Sequence, residues 1–209
     1  MLVVDVDALS KLAHWNILPL LPNLTGYEWE DIGTVSSLIH RAKRATSAPD
    51  GKLFHSSEAA RIAVDAISRM GNLESTSPEI LDALSRSNQI DAGEAVMLAS
   101  IAGDPNGRFL TGDKRALRAL SDLDCASRFA GKILLVEHIL WNCLESKGRD
   151  WVLQNVCPFR DIDKAITMIL GSRCDASVEN LTDGIRSYIS EIAALHNPSL
   201  LVNRSGNTA

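Results

Sequence analysis

Residues 90–120 read IDAGEAVMLASIAGDPNGRFLTGDKRALRAL and combine helix, turn and strand signals in one segment. After Asp91, apolar residues recur at the spacing of a buried helical face, and turn residues at 103–107 then end that pattern. Residues 108–111 are apolar enough for an inner strand, and a second helical pattern follows Asp113. In an open parallel sheet, a polar residue just past the end of a strand lies at the edge where ligands bind. We therefore expect an α/β fold with Asp113 at that edge.

The acidic residues of this segment also fit a purely structural role. Asp91 and Glu94 have capping-box spacing, in which each side chain accepts a hydrogen bond from the other residue's backbone N–H. Asp113 precedes a helical pattern and fits an N-cap. Taken singly, each acid is more typical of a cap than of a metal ligand, because caps are frequent and sites are few. A third acid elsewhere in the chain shifts the interpretation toward a metal site.

That third acid is close to the N-terminus. Residues 1–5 form an apolar run of strand length that ends at Asp5, and a helical pattern begins at Ala8. The two strand-end aspartates and one acid at a helix N-terminus would meet on one edge of a parallel sheet. Their combined negative charge is costly unless cations balance it, and oxygen ligands favour Mg²⁺ or Mn²⁺. We predict that such an ion binds at this edge.

Three short motifs resemble those of a known nuclease family. The segments LVVDVDALSKL, GEAVMLA and LTGDKRAL look like the three acidic motifs of PIN-domain nucleases, in the family's order. The resemblance covers residues 1–136 and implies a three-layer α/β/α fold with a central parallel sheet. It matches Asp5, Glu94 and Asp113 to the catalytic and metal-binding acids of the family.

The resemblance also implies roles for neighbouring residues. Thr111 would orient a water or a ligand, as the corresponding hydroxyl does in the family, and Asp7 and Asp91 would support the metal ligands. The family pattern usually has a fourth acid on the helix after the second strand. That helix is expected at residues 56–70, where Glu58 lies in the first turn but does not match the family position cleanly.

Charge limits how this chain could bind nucleic acid. The net charge of −5 argues against a protein that coats nucleic acid nonspecifically, since that mode depends on many phosphate contacts. Local basic residues can still hold phosphates at a site. Lys114 and Arg115 adjoin Asp113 and are the candidates for phosphate binding, whereas residues 40–44 are more typical of a solvated helix face.

Cysteine spacing and hydropathy indicate the compartment. Cys125, Cys143, Cys157 and Cys174 show no C-x-x-C spacing, so we predict reduced structural thiols, with neither a zinc site nor a disulfide framework. No apolar run is long enough to span a bilayer, and the sequence starts directly on a strand pattern. We expect a cytoplasmic protein with no membrane partner.

The chain divides into three predicted parts. Residues 1–146 are predicted to form the PIN-like α/β domain, residues 147–202 a helical extension packed on it, and residues 203–209 a flexible tail. Within the domain, further helices are predicted at 29–45 and 56–70, and further strands at 52–54, 88–90 and 132–136.

These observations favour a metal-dependent nuclease that hydrolyses phosphodiester bonds, and the resemblance implies an endoribonuclease acting on single-stranded or structured RNA. Many PIN nucleases are toxins inhibited by a small protein, so the resemblance leaves open an inhibitory protein partner. The sequence also leaves open whether the chain forms a homodimer. One alternative is a degenerate PIN-like module that binds RNA or protein, with its acids reduced to caps. The other is a haloacid-dehalogenase-like phosphatase with Asp5 as nucleophile and Asp7 as acid/base. That class needs an acid at position 117, where this chain has Leu117.

Overall fold

Four short parallel strands form one sheet in this computed structural model, which describes residues 1–73, 76–195 and 197–202. The strands are β1 (Leu2–Val4), β2 (Ile32–Gly33), β3 (Arg108–Thr111) and β4 (Ile133–Leu135). Their spatial order is β2-β1-β3-β4, with every neighbouring pair parallel. The predicted α/β class is confirmed, and the strand predicted at residues 108–111 has the observed bounds.

Eleven α-helices occur in the described part of the chain, which is about 63% helical. They are α1 (Val6–His14), α2 (Leu21–Thr25), α3 (Leu38–Ala45), α4 (Ser57–Arg69), α5 (Pro78–Ser85), α6 (Ala92–Ile101), α7 (Lys114–Ser121), α8 (Val136–Lys147), α9 (Arg149–Val156), α10 (Lys164–Leu170) and α11 (Val178–Leu195). Short 3-10 turns lie at Leu18–Leu20, Trp29–Asp31, Ala126–Phe129, Cys157–Ile162 and Pro198–Leu200.

Apolar residues bury both faces of the sheet. Leu2 and Val4 of β1 belong to one core cluster, together with residues of α1, α4 and α8. Val3 belongs to a second cluster with residues of α6 and α7. Successive residues of a strand point to opposite faces, so β1 must be apolar throughout. The finer PIN-like arrangement of these layers stays a prediction.

The C-terminal helices contribute to the same two clusters. Leu181 and Ile185 of α11 lie in the first cluster, and Ile192 lies in the second. Leu201 forms a parallel bridge with Ile133 beside β4. The division at residue 146 stays a prediction, and the tail predicted at residues 203–209 lies outside the described residues.

The predicted helix at residues 29–45 was wrong in its first half. The chain forms the 3-10 turn Trp29–Asp31, then β2, and becomes α-helical only in α3. Pairing with β1 explains the change, because Ile32 and Gly33 lie in register with Leu2 and Val3 and form ladder hydrogen bonds in place of helical ones. A strand of two residues is too short to show an alternating pattern, so the sequence does not indicate it.

The strands predicted at residues 52–54 and 88–90 were also wrong. The backbone N–H groups of Lys52, Leu53 and Phe54 all donate to Asp50 Oδ1, over 3.0, 2.8 and 3.0 Å. An aspartate that accepts from the following backbone fixes a turn and competes with strand pairing. Residues 88–90 form a turn as well.

Two of the cysteines form a disulfide, so the prediction of four reduced thiols was wrong for this pair. Cys157 and Cys174 are bonded, with their Cα atoms 6.1 Å apart. The 3-10 turn Cys157–Ile162 and α10 return the chain to bring them together, which no sequence spacing could show. Cys125 and Cys143 are free. Disulfides are typical of oxidising compartments, so this bond weighs against a cytoplasmic location, which stays a prediction.

Candidate functional site

An open cleft of about 580 Å³ lies at the carboxyl edge of the sheet, where β1 and β3 end. Five of the described residues that line it carry carboxyl groups, namely Asp5, Asp7, Asp91, Glu94 and Asp113. We call this cavity the acidic cleft. It brings together the three predicted metal ligands, one from the end of β1, one from the first turn of α6 and one from the start of α7.

Asp5 is the most deeply buried of these acids. Its side chain follows β1 directly, and the residue is only 5% exposed. Thr111 Oγ1 donates to Asp5 Oδ2 over 3.5 Å, and the same hydroxyl accepts from the backbone N–H of Asp113 over 3.0 Å. The fully buried Thr111 therefore fixes Asp5 and Asp113 relative to each other, which is a positioning role.

The pKa of Asp5 shows how concentrated the negative charge is. Burial and the neighbouring charges of Asp7, Glu94 and Asp113 raise it to about 7. Desolvation disfavours the charged form of a carboxyl group, and nearby like charges disfavour it further. A cation in the acidic cleft would relieve both effects.

Asp91 and Glu94 form the capping box that their spacing predicted. The backbone N–H of Glu94 donates to Asp91 Oδ1, and that of Asp91 donates to Glu94 Oε2, each over 2.8 Å. Burial and the charges of Asp91 and Asp113 nevertheless raise the pKa of Glu94, against the hydrogen bond from the Asp91 backbone. The cap thus orients Glu94 at the acidic cleft without neutralising it.

Asp113 caps α7 and also pairs with Arg115. Its Oδ1 accepts from the backbone N–H groups of Arg115 and Ala116, over 2.7 and 3.3 Å. Its Oδ2 lies 2.8 Å from Nη2 of Arg115, whose side chain is 82% exposed. Burial acts to raise the pKa of Asp113, but Arg115 and the backbone donors outweigh it and keep that pKa below its usual value.

Asp7 connects the acidic cleft to a lysine behind it. Lys11 Nζ lies 2.7 Å from Asp7 Oδ2 and 2.7 Å from Asp163 Oδ2. Gly112 leaves space for this lysine, because a Cβ atom there would lie 3.3 Å from Lys11 Nζ. Asp7 therefore has a cation partner of its own.

Two of the predicted candidates lie elsewhere. Glu58 pairs with Arg61 across 3.0 Å on an exposed face of α4, and it is not among the described residues that line the acidic cleft. Lys114 Nζ lies 4.0 Å from the centre of the Tyr188 ring, whereas its neighbour Arg115 does line the acidic cleft. Leu117, where a dehalogenase-like phosphatase needs an acid, is buried in the core.

Sequence reasoning missed the amides at the cleft. Asn88 and Gln89 line it from the turn that precedes α6. Their position just before the DAGE motif is the available signal, although the sequence pattern predicts a strand there. Amide side chains can donate to phosphate oxygens and accept from sugar hydroxyls.

The donor chemistry of the acidic cleft fits Mg²⁺ or Mn²⁺, since both ions prefer carboxylate oxygens. In residues 1–73, 76–195 and 197–202, however, no group of three His, Cys, Asp or Glu side chains lies close enough together to hold a metal ion. An ion at Asp113 would compete with the guanidinium of Arg115. The arginine side of this ion pair is exposed to solvent, which weakens the pair.

Comparisons with models of protein families, with curated proteins and with solved structures gave no match. The resemblance to PIN-domain nucleases therefore depends on the motif residues alone. Within the described ranges, no helix has both the length and the apolar character needed to cross a membrane.

Proposed function

We propose that this chain is a metal-dependent nuclease of PIN-like architecture, acting as an endoribonuclease. The single observation that carries the proposal is the acidic cleft, where Asp5, Glu94 and Asp113 share one cavity and the pKa of Asp5 is raised to about 7. A fold rarely concentrates carboxyl groups at the ligand-binding edge of a parallel sheet without a use for them.

Each residue of the proposed site has a distinct task. Asp5, Glu94 and Asp113 would hold Mg²⁺ or Mn²⁺, and Thr111 keeps the two aspartates in register. When bound, such an ion supplies positive charge to the phosphate and lowers the pKa of the attacking water. Arg115, released from Asp113, would bind a phosphate oxygen of the RNA at the mouth of the cleft.

Cleavage of mixed single-stranded RNA and DNA pools tests this proposal. The purified chain is incubated with Mn²⁺, with Mg²⁺ or with a chelator, beside the variants Asp5→Asn and Asp113→Asn. Glu58→Gln is the matched control, because Glu58 is an exposed acid outside the cleft. We expect metal-dependent cleavage of RNA that falls at least about 100-fold in the two aspartate variants and not in the control. Cleavage that persists with chelator, or in both aspartate variants, would contradict the proposal.

A second candidate function is a PIN-like module that binds RNA without cutting it. The observation that favours it is that Asp91, Glu94 and Asp113 all make helix-capping hydrogen bonds. In that case RNA would bind equally well with and without chelator, and the aspartate variants would retain that binding.

A further inference from the structure

A second cavity lies next to the acidic cleft, at the end of β2. It has a volume of about 590 Å³ and begins at Thr34, directly after the strand. Its apolar walls include Val35, Ile67, Met70 and Val96. None of the described residues that line it is charged, so we call it the neutral cavity.

The two cavities lie on either side of the first turns of α6. Glu94 lines the acidic cleft, and Val96, two residues later, lines the neutral cavity. Gly93 lies between them: a Cβ atom there would be 3.2 Å from Asp91 Oδ1 and 3.9 Å from Val35 Cγ1. The two cavities therefore lie on opposite sides of Gly93, and a ligand that passes the start of α6 would contact both.

Thr34, on the wall of the neutral cavity, has a buried hydroxyl without a partner in the described part of the chain. Thr34 is 7% exposed, and among the described residues nothing makes a hydrogen bond with its Oγ1 atom. A buried hydroxyl that makes no hydrogen bond costs stability, and such groups are rare in native structures unless a ligand or a water satisfies them. The hydroxyl can both donate and accept, and so can the Asn72 amide on the same wall.

These features define the chemistry of the ligand. The described walls are uncharged, so they offer no charged partner to a phosphate or a carboxylate and favour a neutral group. Apolar walls suit the faces of a flat aromatic ring, and the hydroxyl and amide suit the polar edge of that ring. A nucleobase has these properties, and in a nucleotide one sugar separates it from its phosphate.

We propose that the neutral cavity binds one nucleobase of the RNA whose phosphate lies in the acidic cleft. This inference rests on the proposed nuclease function, and it extends that function to recognition of an unpaired base. Thr34 and Asn72 contact the edge of the base, and Met70 and Ile67 pack against its faces. An unpaired base is required, because the edge that they contact is otherwise used in a duplex.

Nucleosides, which lack phosphate, are the probe that separates this site from the acidic cleft. Adenosine, guanosine, cytidine and uridine are titrated by calorimetry into the purified chain in the presence of chelator. We expect saturable binding of at least one of the four. Thr34→Val should weaken that binding about tenfold, by removing one hydrogen bond, while Tm stays unchanged or rises. Val96→Phe should fill the cavity and abolish binding.

Asp5→Asn is the control for the proposed nuclease. Nucleoside binding that persists in Asp5→Asn supports the neutral cavity as a separate base site, whether or not the parent chain cuts RNA. Failure of all four nucleosides to bind the folded parent would overturn the inference, even if RNA is cleaved. Binding that is unaffected by both Thr34→Val and Val96→Phe would overturn it too, because the nucleoside would then lie elsewhere.

Discussion

Two groups of charged side chains lie at the carboxyl edge of the sheet, and they differ in how their charge is balanced. In the acidic cleft, five carboxyl groups face Arg115, whose side chain is mostly exposed. Behind it lies a second group, Lys11, Asp163 and Glu137, which we call the buried ion cluster. There Lys11 pairs with Asp163 across 2.7 Å, and both side chains are nearly buried.

The two groups differ in the causes that shift their pKa values. Burial lowers the pKa of Lys11, but Asp163 and Asp7 outweigh it and raise that pKa above its usual value. Burial also raises the pKa of Glu137 to about 7, with a smaller contribution from Asp163. In the acidic cleft, three neighbouring acids add to burial at Asp5. The buried ion cluster contains the cation Lys11. In the acidic cleft, Arg115 pairs with Asp113 and Lys11 pairs with Asp7, but no described residue forms an ion pair with Asp5 or Glu94, and such unbalanced acids are typical of a functional site.

The largest expected loss of stability follows from a substitution in the buried ion cluster. Lys11→Met removes its cation and leaves the buried Asp163 with backbone donors but without an opposite charge, so we expect the free energy of unfolding to fall by about 3–5 kcal/mol. Lys43→Met, at an exposed lysine of α3, is the control and should change stability by less than about 0.5 kcal/mol. Urea denaturation measures both. Equal stability of Lys11→Met and the parent would show that the lysine has no structural role.

Stability measured over a range of pH compares Asp5 and Glu137, the two carboxyl groups whose pKa values are raised. Folding raises the pKa of Asp5 and of Glu137 to about 7, so the folded state binds more protons than the unfolded state, and stability falls as pH rises from about 4 through 7. At pH 8, Asp5→Asn and Glu137→Gln should each be more stable than the parent, by on the order of 3 kcal/mol. The gain should shrink toward pH 4. A gain that is constant with pH would contradict the assignment.

The sequence predicted the features that depend on neighbouring residues, and it missed those that depend on residues far apart in the chain. Residues 108–111 and Asp113 could be placed because an apolar run, a polar residue and a helical pattern follow one another directly. The Lys11–Asp163 pair could not, since these residues are far apart in the sequence and meet only when α10 packs near α1. The positions of Asp5 and Asp113 at strand ends placed them in one hypothesis, but neither these positions nor the PIN resemblance indicated Arg115 as a partner of Asp113.

The disulfide lies next in the chain to the buried ion cluster and should stabilise the folded protein. It joins Cys157, at the start of the turn that leads to Asp163, to Cys174. Cys157→Ser should lower the free energy of unfolding by about 2–3 kcal/mol under oxidising conditions, because the closed loop no longer restricts the unfolded chain. Cys125→Ser, at a free cysteine, is the control. If thiol titration finds no disulfide in the purified parent, the pairing itself is wrong.

The smallest expected effect on stability is at Arg115. Arg115→Gln should leave Tm unchanged, because this side chain is exposed and its ion pair is weak. It should tighten Mn²⁺ binding several-fold, since Asp113 no longer pairs with a guanidinium, and weaken RNA binding. Arg118→Gln, at an exposed arginine of the same helix, should do neither. Weaker Mn²⁺ binding in Arg115→Gln would contradict the proposed exchange.

The most direct test of the difference between the two regions is Mn²⁺ binding, measured by calorimetry on the parent, Asp5→Asn and Glu137→Gln. Both substitutions neutralise a carboxyl group of raised pKa at the same edge of the sheet, but only Asp5 lines the acidic cleft. We expect the parent and Glu137→Gln to bind Mn²⁺ equally, and Asp5→Asn to bind it at least about tenfold more weakly. If the parent does not bind Mn²⁺, or if Asp5→Asn binds it as well as the parent does, the acidic cleft is not a metal site.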